Sequence, residues 1–237
     1  MRLIKIIIKS IASGSDGNAY WVSSGETNIL LDCGLNLRSL QEWAWLHGKQ
    51  VTDLDACFIT HEHGDHVKGA QHLIDIGVDV YASKGTIEGA ELFLAHEIAH
   101  KWQVIVGEFV VMALDVEHDA KEPLAFLLAN SDEKLLYVTD TPKFQYAIPG
   151  ITHMMIECNH SYEIMAQAVR DGNLPAQHMK RVVKNHMSIE TAKLTLERLD
   201  RSKLKEVWLL HLSDGNSNAE DFKRQVQEVV GVPVYVA

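Results

Sequence analysis

The chain has 237 residues, 46% of them hydrophobic and 23% charged, with a formal net charge of −10. That length fits one large domain or two small ones with a sizeable core, and the acidic balance argues against broad electrostatic capture of nucleic acid. No apolar run is long enough to cross a bilayer, and Met1 to Lys9 is too short and too charged for a signal peptide, so no membrane partner is expected. The three cysteines, Cys33, Cys57 and Cys158, are odd in number and form no CxxC pair. Reduced thiols and a cytoplasmic location follow.

In chain order, Arg2 to Lys9 is β-branched and reads as a strand. Ser10 to Asn18 is a small-residue loop whose glycines expose backbone amides, so it can cradle an anion or hold neighbouring loops. Ala19–Ser23 and Asn28–Leu31 read as a hairpin around Gly25, with Asp32 at its exit. Leu35–His47 has helical periodicity. Leu54–Thr60 is a strand, Val67–Ile76 a helix, Val78–Ala82 a strand and Thr86–His100 a helix. Val104–Val116 supplies one or two strands. Leu124–Ala129 and Lys134–Val138 flank a turn at Asn130-Ser131-Asp132. Thr152–Ile156 is a strand, and Tyr162–Arg170, Ala176–Lys184 and Ser188–Leu199 are helices. Glu206–Leu210, a helix over Asn218–Val229 and a strand over Pro233–Val236 complete the chain. The pattern is mixed α and β, with polar clusters recurring at strand ends.

The densest cluster is His61-Glu62-His63-Gly64-Asp65-His66, directly after an apolar strand. On extended backbone His61 and His63 point the same way and can grip one ion. Gly64 lets the chain turn, so that Asp65 and His66 can face a second. Asp32, His118, Asp140 and His211 also follow strands. Imidazole and carboxylate at this density are ligands for zinc and its neighbours, and two such ions can share one hydroxide and clamp attacking and leaving oxygens. Asp65, a carboxylate beside that water, is the natural proton acceptor. His96-Glu97-Ile98-Ala99-His100 also fits HExxH. It lies off the strand-end series, however, and reads as the face of a helix rather than a metal site.

The His61–His66 run resembles the HxHxDH signature of the metallo-β-lactamase superfamily. The resemblance implies a four-layer αββα sandwich forming a single domain over residues 1–237. It implies two divalent ions, zinc or manganese: His61, His63 and His118 hold one, Asp65, His66 and His211 the other, Asp140 bridges them, and Asp32 orients a ligand from behind. Ser13-Gly14-Ser15-Asp16-Gly17-Asn18, His118-Asp119-Ala120, Glu157-Cys158-Asn159-His160, Asn185-His186-Met187-Ser188 and His211-Leu212-Ser213 resemble motifs of the WalJ/YycJ-like branch. That branch comprises 5′-to-3′ DNA exonucleases, and ribonuclease Z shares its site plan. Asp16 and Asn185 depart from the branch, which usually has a small residue and Gly there.

The expected function is therefore phosphodiester hydrolysis of nucleic acid, DNA rather than RNA. His186 is the discriminating residue: beside the ions it can donate to a phosphate oxygen or protonate a leaving 3′-oxygen, with Glu157 orienting it. Lys180, Arg181 and Lys184, on the preceding helix, lie where a flanking phosphate can pass. They belong to a stretch, His178 to Lys205, with eight basic and three acidic residues. Ser13, Asn18 and His160 complete the expected substrate contacts. The alternative is a small-molecule hydrolase of the same fold, acting on a cyclic nucleotide, lactone or thioester. The acidic charge and the lack of a large insertion between Asp140 and His211 favour that alternative.

Overall fold

Ile6 and Ile8 are buried while Ile7 between them is exposed. This period of two makes the N-terminal segment a strand, β1 (Ile6–Ala12). The computed structural model describes residues 4–237; Arg2 and Leu3, placed in this strand by the sequence, lie outside the described residues. Two compact units are distinguished, one running to Asp115 and including Ala120–Lys134, the other comprising Val116–Asp119 and Leu135–Ala237.

The first unit contains a six-stranded mixed sheet in the order β1, β2 (Ala19–Ser24), β3 (Thr27–Leu31), β4 (Ala56–Phe58), β5 (Asp79–Ala82), β6 (His96–Glu97). β1 to β3 pair antiparallel, with Gly25 at φ +58° in the β2–β3 turn. β3 to β6 pair parallel. Parallel pairing sets Leu31 opposite Phe58, so the residues leaving β3 and β4 emerge side by side; Asp32 N donates to Phe58 O at 2.9 Å. Helix α1 (Leu37–Leu46) is capped by Asn36 and buries Leu40 and Ala44 on a core containing Trp21, Leu30, Cys57 and Leu73. The unit also holds α2 (Gly64–Val67), α3 (Ala70–Asp75), α4 (Lys84–Gly89) and three antiparallel strands, β7 (Gln103–Val106), β8 (Phe109–Asp115) and β9 (Leu124–Ala129).

The second unit carries β10 (Lys134–Val138, starting at the boundary), β11 (His153–Glu157), β12 (Glu206–Leu210) and β13 (Val234–Val236), all parallel. β11 is buried at every position, as a strand covered on both faces should be. Its helices are α5 (Tyr162–Arg170), α6 (Ala176–Asn185), α7 (Ile189–Arg198) and α8 (Ala219–Val230). Ser188 caps α7, and Gly231 at φ +68° ends α8. Because β10, β11 and β12 are parallel, Asp140, Glu157 and His211 all sit at their C-terminal ends. Strands β7 to β13 form the second mixed sheet. The fold is thus the α/β class expected: two mixed sheets flanked by helices.

Two helices differ from the sequence reading. Val67–Ile76 is broken at Lys68-Gly69, because a Cβ on Gly69 would meet Leu35 O at 2.3 Å and Cys33 Sγ at 2.6 Å. Close backbone approach takes precedence there over helical periodicity. Thr86–His100 is not one helix: α4 stops at Gly89, Glu91 and Leu94 adopt φ +52° and +67°, and the chain resumes as β6. A right-handed helix cannot pass through two left-handed residues. His96 and His100 therefore share no helix face. His96 stacks on Tyr81 at 5.0 Å and approaches Asp79 at 3.2 Å, while His100 lies 2.9 Å from Asp115.

Candidate metal centre and acid pair

In the first unit, Asp32 and the His61–His66 turn come together where β3 and β4 end. Asp32 is fully buried and accepts from Thr60 N at 2.8 Å, Thr60 Oγ1 at 3.0 Å and His66 Nδ1 at 2.8 Å. His61 Nε2 and His63 Nδ1 are 3.1 Å apart, and the His61 and His66 rings lie 4.2 Å apart. Side chains at 61 and 63 thus face one another, as extended backbone requires. Gly64 opens α2, which places Asp65 and His66 in the first helical turn. Gly34 is obligatory beneath it: a Cβ there would lie 1.7 Å from Asp65 O.

In the second unit, Asp140, Glu157, His186 and His211 offer ligand atoms all within 4.8 Å of one another. Glu157 is fully buried. Its Oε1 lies 2.6 Å from His186 Nδ1 and 3.2 Å from His211 Nδ1, and its Oε2 accepts from Thr141 N at 3.0 Å and Met187 N at 2.9 Å. Burial alone would lower the basicity of His186, but the charge and hydrogen bond of Glu157, with Asp140 behind them, raise its pKa above the ordinary value. Burial alone would raise Glu157, but the His186 charge together with the hydrogen bonds from His186 and His211 outweighs it, so its carboxyl titrates below the usual range. Each partner thus favours the charged form of the other. His118, by contrast, is lowered by burial.

The donor set fits divalent metal. His66 Nδ1 is taken by Asp32, His61 Nδ1 lies 3.0 Å from the Thr60 hydroxyl, and His118 Nδ1 lies 3.1 Å from Asn185 O. Metal-bound histidines are oriented this way, through the nitrogen that does not bind. Asp32, Asp140 and His211 adopt φ +56°, +49° and +54°, an unusual conformation for residues other than glycine. Each lies one or two residues past a strand, so the same left-handed backbone turns three candidate groups out of their sheets. Buried His/Asp clusters of this kind are consistent with the dinuclear metal site typical of this fold.

Lys180, Arg181 and Lys184 are exposed on α6, as the sequence places them. Ser13 is half-buried and receives the Tyr20 hydroxyl at 2.7 Å. Two expected substrate residues are placed otherwise. Asn18 is fully buried; it accepts from Gly14 N at 3.0 Å, donates to Gly14 O at 2.9 Å and lies 3.1 Å from His66 Nε2. His160 is fully buried with both ring nitrogens covered. Three supporting residues were not singled out for that role by the sequence. Thr60 joins Asp32, His61 and His66. Asn159 holds the His211 carbonyl at 3.0 Å. Asn185, where the branch pattern has Gly, supports His118 through its carbonyl and binds Asp119 at 2.7 Å through its amide. A polar residue abutting each ligand motif is the one available cue. The three cysteines are free and buried, and burial raises every thiol, Cys33 to about 12. None is a nucleophile at neutral pH.

Residues 27–212 match the β-lactamase superfamily domain family, and the chain belongs to the metallo-β-lactamase superfamily, as a hydrolase of that fold. More particularly, it is a distant homologue of two bacterial exonucleases. Exodeoxyribonuclease YycJ of Bacillus anthracis is 27% identical across 93% of this chain and 87% of its own length. Exodeoxyribonuclease WalJ of Streptococcus pneumoniae is 27% identical across 89% and 82%. Among solved structures, the metallo-β-lactamase fold protein YhfI of Bacillus subtilis superposes with a TM-score of 0.74 at 16% identity, over 98% of this chain and 95% of that one. Human tRNase Z, short form, gives 0.63 at 15% identity, over 97% and 95%. At those identities the structural likeness concerns the fold alone. Among the described residues no helix is long and apolar enough to cross a membrane.

Proposed function

We propose that the protein is a metal-dependent phosphodiesterase acting on nucleic acid, a DNA exonuclease of 5′-to-3′ polarity in the cytoplasm. The observation that carries this reading is the Glu157–His186 pair, with Oε1 and Nδ1 2.6 Å apart. The imidazole is half-buried, with Nδ1 held by the carboxylate, so that Nε2 can donate. A phosphodiester gains charge on its oxygens and expels an alkoxide, and needs such a donor. Relatives named as exodeoxyribonucleases, matched over about nine-tenths of this chain, support the same reading.

In this proposal His61, His63, Asp65, His66, His118, Asp140 and His211 hold two divalent ions, zinc or manganese. When bound, these would supply Lewis acidity and a water of lowered pKa. Asp65, with its side chain 23% exposed beside His66, accepts the proton of the attacking water. His186 donates from Nε2 to a phosphate oxygen and then to the departing 3′-oxygen, while Glu157 holds Nδ1. Asp32 keeps His66 in one tautomer. Lys180, Arg181 and Lys184 meet a flanking phosphate, and Ser13 stands at the glycine loop. Asn18 and His160 are reassigned from substrate contact to support.

The net charge of −10 favours the rival reading, a hydrolase of small esters or cyclic nucleotides. One experiment separates the two: cleavage of end-labelled single- and double-stranded DNA with the metal varied, alongside lactone, thioester and cyclic-nucleotide substrates. His186→Ala should retain metal and fold yet lose about 10²–10³ in phosphodiester cleavage. Normal cleavage by that variant, or a wild type that opens lactones and cuts no DNA, would defeat the proposal.

A further inference from the structure

His160 is fully buried, and no polar group of the described residues lies within hydrogen-bond distance of either ring nitrogen. Burial, which outweighs the nearby charges of Glu157 and Glu190, lowers its pKa and keeps the ring neutral. A neutral imidazole carries one N–H donor and one lone pair, and leaving both unmet inside a protein is costly. A second buried atom shares the predicament. Glu190 Oε1 accepts from Ser161 Oγ at 3.1 Å, but its Oε2 is buried without a partner. The carboxylate acts on the His160 ring electrostatically, and no direct hydrogen bond joins the two. Polar atoms separated in this way, and shielded from bulk solvent, are the setting in which one enclosed water is found.

The surroundings give such a water a task. The backbone of 159–160 is tied to the segment carrying His186. Asn159 N donates to Met187 O at 2.9 Å, Ile189 N donates to His160 O at 2.8 Å, and His160 pairs with Ser188 in a parallel bridge. Glu190 lies one residue further on, in the first turn of α7. We propose that His160 and Glu190 enclose an ordered water, and that this bridged pair positions His186 by locking the 158–161 and 186–190 segments together. The kinetic part of the idea rests on the phosphodiesterase reading; the structural part does not.

The test is a double-mutant cycle with His160→Phe and Glu190→Met, which remove the polar atoms but fill the space. A group with no partner at all gains stability when replaced by an apolar one, whereas a water-bridged group loses it. Each single variant should therefore lower Tm by roughly 3–8 °C. The double variant should fall little further, and His160→Gln, which keeps a donor and an acceptor, should recover part of the loss. Metal content should not change. Turnover on DNA should fall about 5- to 50-fold with KM unaltered, as for a misaimed acid. A crystal structure at high resolution should show the water between the two side chains. Additive Tm changes, or a His160→Phe variant as stable as its parent, would overturn the bridge. Should His160→Phe fail to fold, the cycle is run with His160→Leu and Glu190→Met and read in the same way. A coupled cycle with normal turnover would overturn the positioning role. A wild type that cuts no DNA would remove the functional reading and leave the stability cycle to decide on the water.

Discussion

At the scale of single residues, the site is made by groups held against their preferences. Asp32, Asp140 and His211 adopt left-handed backbone, and none is a glycine. That conformation costs of order 1–3 kcal/mol each and persists where the surroundings over-determine it. The four hydrogen bonds to Asp32 from Thr60 and His66 are such a determinant. Asp65 is less constrained, which suits a group that must take and release a proton. Asp65→Asn keeps its shape and removes its basicity. Steady-state cleavage should drop by roughly 10²–10⁴, while metal content measured by elemental analysis shows whether a ligand was lost as well. The Glu157–His186 pair makes a prediction about pH. His186 is raised above 6.5, so its contribution to stability is complete below 6.5 and fades as pH rises through the higher folded value. Glu157 is lowered from 4.5, so its contribution is complete above 4.5 and fades as pH falls through the lower folded value. The stability lost in Glu157→Gln, measured by denaturant titration of chelated protein across pH, should therefore be largest between these limits and shrink on both sides. A flat difference would mean the pair is not ionised.

At the scale of elements, parallel strands bring the site together: they emerge at one end, so a polar residue just past each one joins its neighbours. The contrast between two histidine pairs tests this. His61 and His63 follow β4, and their replacement by Ala should empty the protein of part or all of its metal. His96 and His100 match a metalloprotease pattern, yet they sit on β6 and its exit, paired with Asp79 and Asp115. Replacing both with Gln should leave metal content and activity within about twofold; loss of an ion from the folded variant would show a genuine site there. That Asp32, the His61–His66 run, Asp140 and His211 follow strands was legible in the sequence, because hydrophobic runs mark strand ends. The helix over 86–100 was misread because apolar spacing is blind to the left-handed turns at Glu91 and Leu94. Thr60, Asn159 and Asn185 were illegible as supports for another reason: each is an ordinary polar residue until a folded neighbour gives it a partner. The burial of Asn18 and His160 was hidden likewise, since a motif says which residues recur near a site and not which way they face.

At the scale of the whole molecule, the proposed function asks how a chain of net charge −10 would engage a polyanion. Its positive charge is not spread over a broad face. Of the basic stretch beyond His178, Lys193 is spent on Gln225 at 2.8 Å and Arg201 on the Val229 carbonyl, both between α7 and α8. Lys180, Arg181 and Lys184 are grouped on α6, exposed and without an ion pair among the described residues. Residues 180, 181 and 184 share one helical face, since three- and four-residue steps return to the same side. In the proposed function such a surface would grip a few phosphates near one strand end and repel the rest, the balance an exonuclease needs if it is to release its product. Affinity for single-stranded DNA should then depend weakly on salt. Three phosphate contacts correspond to a slope of log K against log[salt] near about −2, since each single-strand contact adds about −0.7. Binding isotherms at several KCl concentrations, with the metal held constant, measure that slope. Replacing Lys180, Arg181 and Lys184 with Gln should flatten it towards zero and weaken binding at low salt, while hydrolysis of a small, uncharged-leaving-group phosphodiester stays within about threefold. A wild-type slope several times steeper would mean that a much larger basic surface than α6 meets the nucleic acid.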